Sequence, residues 1–187
     1  MVGRHLTQLG YRAQVKIQAN DGLSIDYRHS STPLVSVLVA SEGDAAQLQD
    51  CLRSVLQRTR YPRYEVLVVC AEHEVAALQP FAGKVHVLVG QPGESRSSWL
   101  NLAASQARGA YLVLVSARSQ VITPAWIEAL LNEAQRPEVG VVGACLEGGD
   151  TALVHAGYAL LQGPQVVSPW LGLKPQACAE ARWPLAV

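Results

Sequence analysis

The sequence predicts an α/β fold: a mostly parallel sheet with helices on both faces, preceded by an N-terminal β-hairpin. Three observations lead there. Short apolar runs such as Val35–Ala40 and residues 111–115 are strand-sized, and Val35–Ala40, β-branched and almost unbroken, reads as a strand buried on both faces. Between them lie segments whose apolar residues recur every three or four positions, the period of an amphipathic helix. Ahead of both, residues 12–28 alternate (Ala13, Val15, Ile17, then Leu23, Ile25, Tyr27) around Asn20-Asp21-Gly22, residues that accept the positive φ of a tight turn.

Val35–Ala40 is the first strand of the predicted sheet. Residues 44–56 follow with Ala45, Leu48, Leu52, Val55 and Leu56 at helical spacing. Ser41 and Asp44, three apart at that helix's start, resemble a capping box with Asp in place of Glu. Residues 65–69 predict a strand, residues 72–79 a short helix ended before Pro80, and residues 84–89 a strand. Residues 97–108 predict a helix with Gly109 as its stop, and residues 111–115 a strand. Thr123-Pro124 reads as a helix start, Thr as N-cap and Pro at the first helical position. Trp126, Ile127, Leu130 and Leu131 give that helix an apolar face, and Pro137 ends it. Residues 139–146 predict a strand interrupted by Gly140 and Gly143, and residues 152–161 another. The expected divisions are residues 1–30, a hairpin appendage; residues 31–162, an α/β domain; and residues 163–187, an irregular tail containing Pro164, Pro169, Pro175 and Pro184. Alternating strands and helices imply right-handed βαβ crossovers. Such sheets bind ligands beyond the carboxyl ends of their strands, near a switch in strand order. Those ends are the segments after Val39, Val69, Val89 and Val115.

Composition narrows the function classes. At 187 residues the chain fits one ordinary domain, or one with a short appendage. Apolar residues make up 49% and charged residues 16%, which excludes a disordered charged tail. Fifteen Lys and Arg balance fifteen Asp and Glu. A protein that neutralises many phosphates carries a basic surplus, so no nucleic-acid partner is expected. No apolar run approaches the roughly 18 residues of a membrane span, and residues 1–11 lack a continuous apolar stretch of the secretory type. A cytoplasmic location is therefore expected. Cys51, Cys70, Cys145 and Cys178 are widely spaced, without a CxxC pair, and read as buried thiols rather than as a disulfide framework or a zinc site.

Several segments resemble a known family. Residues 33–39 (PLVSVLV) are similar to the opening strand of family 2 glycosyltransferases, inverting enzymes of the Rossmann-like GT-A fold. Residues 51–62 (CLRSVLQRTRYP) resemble their first helix and its exit, and residues 64–69 (YEVLVV) their second strand. Asn101 and residues 107–115 (ARGAYLVLV) resemble the helix and strand that lead into the family's metal site. Residues 123–130 (TPAWIEAL), 137–143 (PEVGVVG) and 155–157 (HAG) continue the likeness over roughly residues 30 to 160. It is most similar to the bacterial, rhamnosyltransferase-like branch that builds surface polysaccharide. The resemblance implies a nucleotide-diphosphate sugar donor, a divalent Mg or Mn ion and a saccharide acceptor. A leaving nucleoside diphosphate needs its charge stabilised, and the acceptor hydroxyl needs a carboxylate base.

The sequence departs from the family where those groups belong. The Asp-x-Asp position after residues 111–115 is Ser116-Ala117-Arg118, without a carboxylate. The Asp expected after the second strand is replaced by Cys70-Ala71, and the loop after the first strand is Ser41-Glu42-Gly43-Asp44. Scaffold segments are kept while site acids are absent. No metal ligand and no catalytic residue is assigned, and no cofactor is expected. The family's base lies downstream of the His-Ala-Gly segment, and the close at Pro184-Leu-Ala-Val187 reads as a fragment of a longer polypeptide.

The donor-binding candidates are Ser41, Glu42, Asp44, Cys70, Ala71, Arg96, Asn101, Ser116, Arg118 and His155. Each has a bland reading beside the functional one. Arg118 either replaces the metal by binding a diphosphate bidentately, or is a solvated loop residue. Glu42 and Asp44 either accept from a nucleoside, or Asp44 only caps a helix. Arg96, with Ser97 and Ser98, either holds an anion at a helix N-terminus or belongs to a capped start. His73 reads as a base or ligand or as neither, and His155 as structural or as lining the donor pocket. The four Trp residues read as packing, with sugar stacking open for Trp170 and Trp183. The expected function is a family 2-like domain of surface-polysaccharide or glycoprotein assembly, catalytically impaired and serving a larger enzyme or a saccharide or protein partner. Two alternatives stay open: an active, metal-independent transferase using Arg118, and a nucleotide-sugar binding module without turnover.

Overall fold

The computed structural model describes residues 2–17, 23–160, 165–174 and 185–186. Its contacts divide the chain into two compact units, residues 31–127, and residues 1–30 with 128–187. The chain opens with a short helix the sequence pattern did not announce, α1 (Val2–Gln8). β1 (Gln14–Ile17) and β2 (Leu23–Asp26) then pair antiparallel, Val15 opposite Ile25, as the alternation predicts. The expected turn at Asn20-Asp21-Gly22 lies outside the described residues.

Residues 31–127 hold β3 (Val35–Ala40), α2 (Ala45–Arg58), β4 (Tyr64–Cys70), a 3₁₀ segment (Glu72–Phe81), β5 (His86–Val89), α3 (Arg96–Gln106) and β6 (Tyr111–Ser116). The four strands form one parallel sheet in the order β5-β4-β3-β6. The path steps outward from β3 through β4 to β5, then returns to β6 on the other side of β3. Right-handed crossovers taken in opposite directions put α2 and α3 on opposite faces. Leu38, Leu67 and Val69 pack under Ala103 of α3, with Leu88, Trp99 and Leu100 at the margin. The alternate residues Val35, Val37, Val39, Val66 and Val68 point to the other face and are just as fully buried. Because β3 is central, all six of its residues are buried, which explains a run that is apolar but for Ser36.

Local details correct several sequence readings. Asp44 alone caps α2, its Oδ1 accepting from the Ala46 and Gln47 amides, so no capping box with Ser41 forms. Residues 72–81 form a 3₁₀ helix that runs through Pro80, where an α-helix ending before it was expected. α3 is capped at its start by Ser95 and ends before Ala107, whose backbone is extended. Gly109 is therefore no helix stop. A Cβ there would lie 2.6 Å from both the amide nitrogen and Oγ of Ser36, so glycine lets the chain pass tightly against β3. Thr123-Pro124 forms a turn just before α4 (Trp126–Ala134) rather than its first residues.

Beyond α4 the strands are short. The single strand expected over residues 139–146 is two fragments, β7 (Val142–Gly143) and β8 (Leu146–Glu147). Residues 152–160 give β9 (Leu153–His155) and β10 (Ala159–Leu160). In the tail β11 (Val166–Val167) pairs with β10, and β12 (Leu185–Ala186) with β7, so the tail is not wholly irregular. Trp170 packs on Leu153 and Ala156. In the same unit Arg136 sits over the Tyr27 ring, 4.9 Å from its centroid, and bonds Glu133 and Glu138. Cys51 and Cys70 are buried, but Cys145 is exposed, against the expectation of burial; Cys178 and Trp183 lie outside the described residues.

Candidate functional site

In the order β5-β4-β3-β6 the strand sequence reverses between β3 and β6. Sheets of this kind bind ligands beyond the carboxyl ends at such a reversal, and the segments that follow those ends here are Ser41 to Asp44 and Ser116 to Arg118. The fold thus brings together two loops that lie far apart in sequence.

Glu42 is the centre of what gathers there. Its carboxylate accepts from Ser116 Oγ at 2.7 Å, pairs with Arg118 Nε at 2.9 Å, and faces Arg96 Nε at 3.7 Å. Arg96 arrives from the first turn of α3, and Arg118 from the turn after β6, where its amide also donates to Ser116 Oγ. The carbonyl of Ser116 accepts from the Cys51 thiol of α2 at 3.5 Å, which fixes the β6 end against that helix. Burial pushes the Cys51 thiol up to about 11, so it serves as a neutral donor and not as a thiolate.

The other candidates have local roles or stand apart. Ser41 Oγ donates to Glu74 Oε1 at 2.6 Å, and Glu74 Oε2 accepts from the Ala71 amide at 2.9 Å. Buried Glu74 thus joins the ends of β3 and β4 and occupies the polar groups that Ser41 and Ala71 would offer a ligand. Cys70 is fully buried, its thiol raised to about 11 by burial and then by Glu74 and Glu72. Asp44 holds the start of α2. Asn101 is exposed on α3; five residues beyond Arg96, it lies about 140° further round the helix. His73 is exposed on the 3₁₀ segment. His155 belongs to the other compact unit, on β9, with its ring 4.9 Å from that of Tyr158. The structure therefore joins four candidates directly: Glu42, Arg96, Ser116 and Arg118.

Two buried acids of residues 31–127 were missed. Glu74 stands three residues beyond Ala71, a spacing that signals a carboxylate reaching back to a helix start. Glu65 lies at the amino end of β4 and accepts from Ser36 Oγ at 2.7 Å and from the Arg108 amide at 2.7 Å. Its other oxygen accepts from Arg108 Nε and Nη2 at 2.9 and 2.7 Å. Burial alone would raise this carboxyl, but the Ser36 and Arg108 hydrogen bonds outweigh it and hold it at about 2. The signal was Ser36, a polar residue inside an otherwise apolar strand. A groove of about 430 Å³ lined by Leu56, Gln57, Tyr64, Glu65, Val66 and Lys84 lies at this amino end, away from the switch point.

The residues at the β6 end do not suit a divalent cation. Ser116 contributes a hydroxyl, Arg118 a positive charge, and the carboxylate that reaches them is already matched by two guanidiniums. Among the described residues no group of three or more His, Cys, Asp or Glu could hold a metal ion. The arrangement gathers two arginines at one carboxylate, Glu42.

Known proteins place this fold. The chain is 32% identical over 164 residues to the O-antigen biosynthesis protein RfbC of Myxococcus xanthus, covering 85% of this chain and 13% of that protein. It is 34% identical over 136 residues to the uncharacterized protein y4gI of Sinorhizobium fredii (strain NBRC 101917 / NGR234), covering 69% of this chain and 15% of that protein. The chain thus spans a small part of these curated relatives. Among solved structures it is similar to the mannosyltransferase PcManGT from Pyrobaculum calidifontis in complex with GDP-Man and Mn²⁺, with a TM-score of 0.54 and 21% identity over 64% of this chain and 37% of that one. That likeness concerns the fold alone. A family model for glycosyltransferase like family 2 matches residues 32–159, and with the parallel sheet and its switch point it shows that the chain belongs to family 2 glycosyltransferases of the GT-A fold.

Proposed function

We propose that this chain is a domain of surface-polysaccharide assembly, catalytically impaired as a metal-dependent transferase, that binds a nucleotide-diphosphate sugar through arginine rather than through a cation. The observation that carries the reading is the Glu42–Arg118 ion pair at the switch point, with Arg96 beside it. In a metal-dependent site this position supplies negative oxygens; here it supplies guanidiniums, which bind phosphate directly. The name of the Myxococcus relative supports the O-antigen setting, and the GDP-Man complex of the archaeal fold relative supports the ligand class. Residues 31–162 would be the transferase-like module, a division supported by the matched span of 32–159. Cys51 and Cys70, buried and not linked by a disulfide, suit a reducing, cytoplasmic compartment.

The test is a thermal-shift panel of nucleoside diphosphates and nucleotide sugars, with Mn²⁺ and with chelator, beside an assay of donor hydrolysis. Binding is expected to survive chelator, to weaken about tenfold or more in Arg118→Ala, and to proceed without turnover. Ligand stabilisation that requires Mn²⁺ would overturn the reading. A second reading, an active metal-independent transferase, is favoured by the same ion pair and is distinguished by donor turnover in chelator.

A further inference from the structure

We infer that Glu42 is an internal anion that competes with a diphosphate for Arg96 and Arg118, so that ligand entry requires its displacement. The inference rests on the reading of this switch point as an arginine-lined diphosphate site. Three segments meet there: the loop after β3 brings Glu42, the first turn of α3 brings Arg96, and the turn after β6 brings Arg118. One carboxylate faces two guanidiniums, so the group carries an excess of one positive charge. Glu42 fills the place of an anion without matching the charge around it.

The contact is built to exchange. The Arg96 and Arg118 side chains are 47% and 68% exposed, and ion pairs at such exposure are held weakly against water. The carboxylate is the more enclosed partner, at 21%, and Ser116 Oγ anchors one of its oxygens at 2.7 Å. When a ligand takes the arginines, Glu42 keeps that hydroxyl as a partner and is not left bare. A diphosphate carries more charge than one carboxylate and presents oxygens to both guanidinium forks at once. It therefore displaces Glu42, whereas a singly charged carboxylate gains little. The internal anion acts as a selectivity filter for polyanions.

The experiment is calorimetric titration of the full 187-residue chain with inorganic pyrophosphate in chelator, against Glu42→Gln, Glu42→Ala, Arg118→Ala, Arg96→Ala and Asp50→Asn. Glu42→Gln keeps an acceptor for Ser116 while removing the charge, and Glu42→Ala serves if the amide variant misfolds. Asp50→Asn removes one exposed negative charge elsewhere on α2. Both Glu42 variants are expected to bind pyrophosphate about tenfold more tightly than the parent, and the two arginine variants about tenfold more weakly. The Asp50 variant is expected to match the parent. Glu42 variants that bind no more tightly than the parent, or an Asp50 variant that tightens equally, would overturn the internal-anion inference while leaving the arginine site standing. Binding in the parent and Glu42 variants only when Mn²⁺ is present would overturn the arginine site itself.

Discussion

Glu65 shows how one buried acid organises the amino end of the sheet. It ties Ser36 of β3 to Arg108 ahead of β6, and Gly109 completes the turn by donating its amide to Ser36 Oγ at 2.8 Å. Its carboxyl is held at about 2, below the ordinary 4.5, so the folded state prefers the charged form. Stability from this group is fully present above about 4.5 and is lost as pH falls toward 2. Arg108 is 68% exposed, so its share is screened, and the contribution is on the order of 1–2 kcal/mol. Glu65→Gln is expected to lower the melting temperature at pH 7 and to flatten its decline between pH 5 and 2; equal acid sensitivity in parent and variant would refute this account.

At the scale of elements, most of the sheet was legible because each buried strand must be apolar on both faces. β3 and β4 therefore stand out as short runs, and α2 stands out by its periodic Leu48, Leu52 and Val55. What was not legible depends on contacts between distant residues. Gly109 looks like a helix stop until Ser36 is seen against it, and Ser41 looks like a cap until Glu74 takes its hydroxyl. The candidate site was half legible for the same reason. Glu42, Arg96, Ser116 and Arg118 were each marked by position at a strand end or helix start, but their joining needed the return of β6 beside β3. Asp44 is the cap at which the local reading sufficed. Asp44→Ala is expected to cost about 1 kcal/mol in urea denaturation and Asp44→Asn much less, since Asn accepts the same amide bonds.

At the scale of the molecule, family membership and site chemistry are separate questions. The match over residues 32–159 and the parallel sheet preserve a scaffold whose strand order reverses between β3 and β6. The side chains at that reversal then decide what it grips. Where the resemblance to the family implies carboxylates, this chain carries Ser116 and Arg118, both bonded to Glu42. A shared sheet therefore does not by itself fix the charge presented at its strand ends.

β6 carries one more consequence. It is the terminal strand of the four-stranded sheet, and Leu112 and Leu114, on the face that α3 covers over β3 and β4, are 49% and 62% exposed. Among the described residues β6 pairs only with β3, and a sheet margin of that kind with two bare leucines invites chains to stack on one another. In concentrated solution the protein should turn cloudy as it warms. Leu114→Lys should keep it clear by light scattering, because a lysine at a margin repels its own copy.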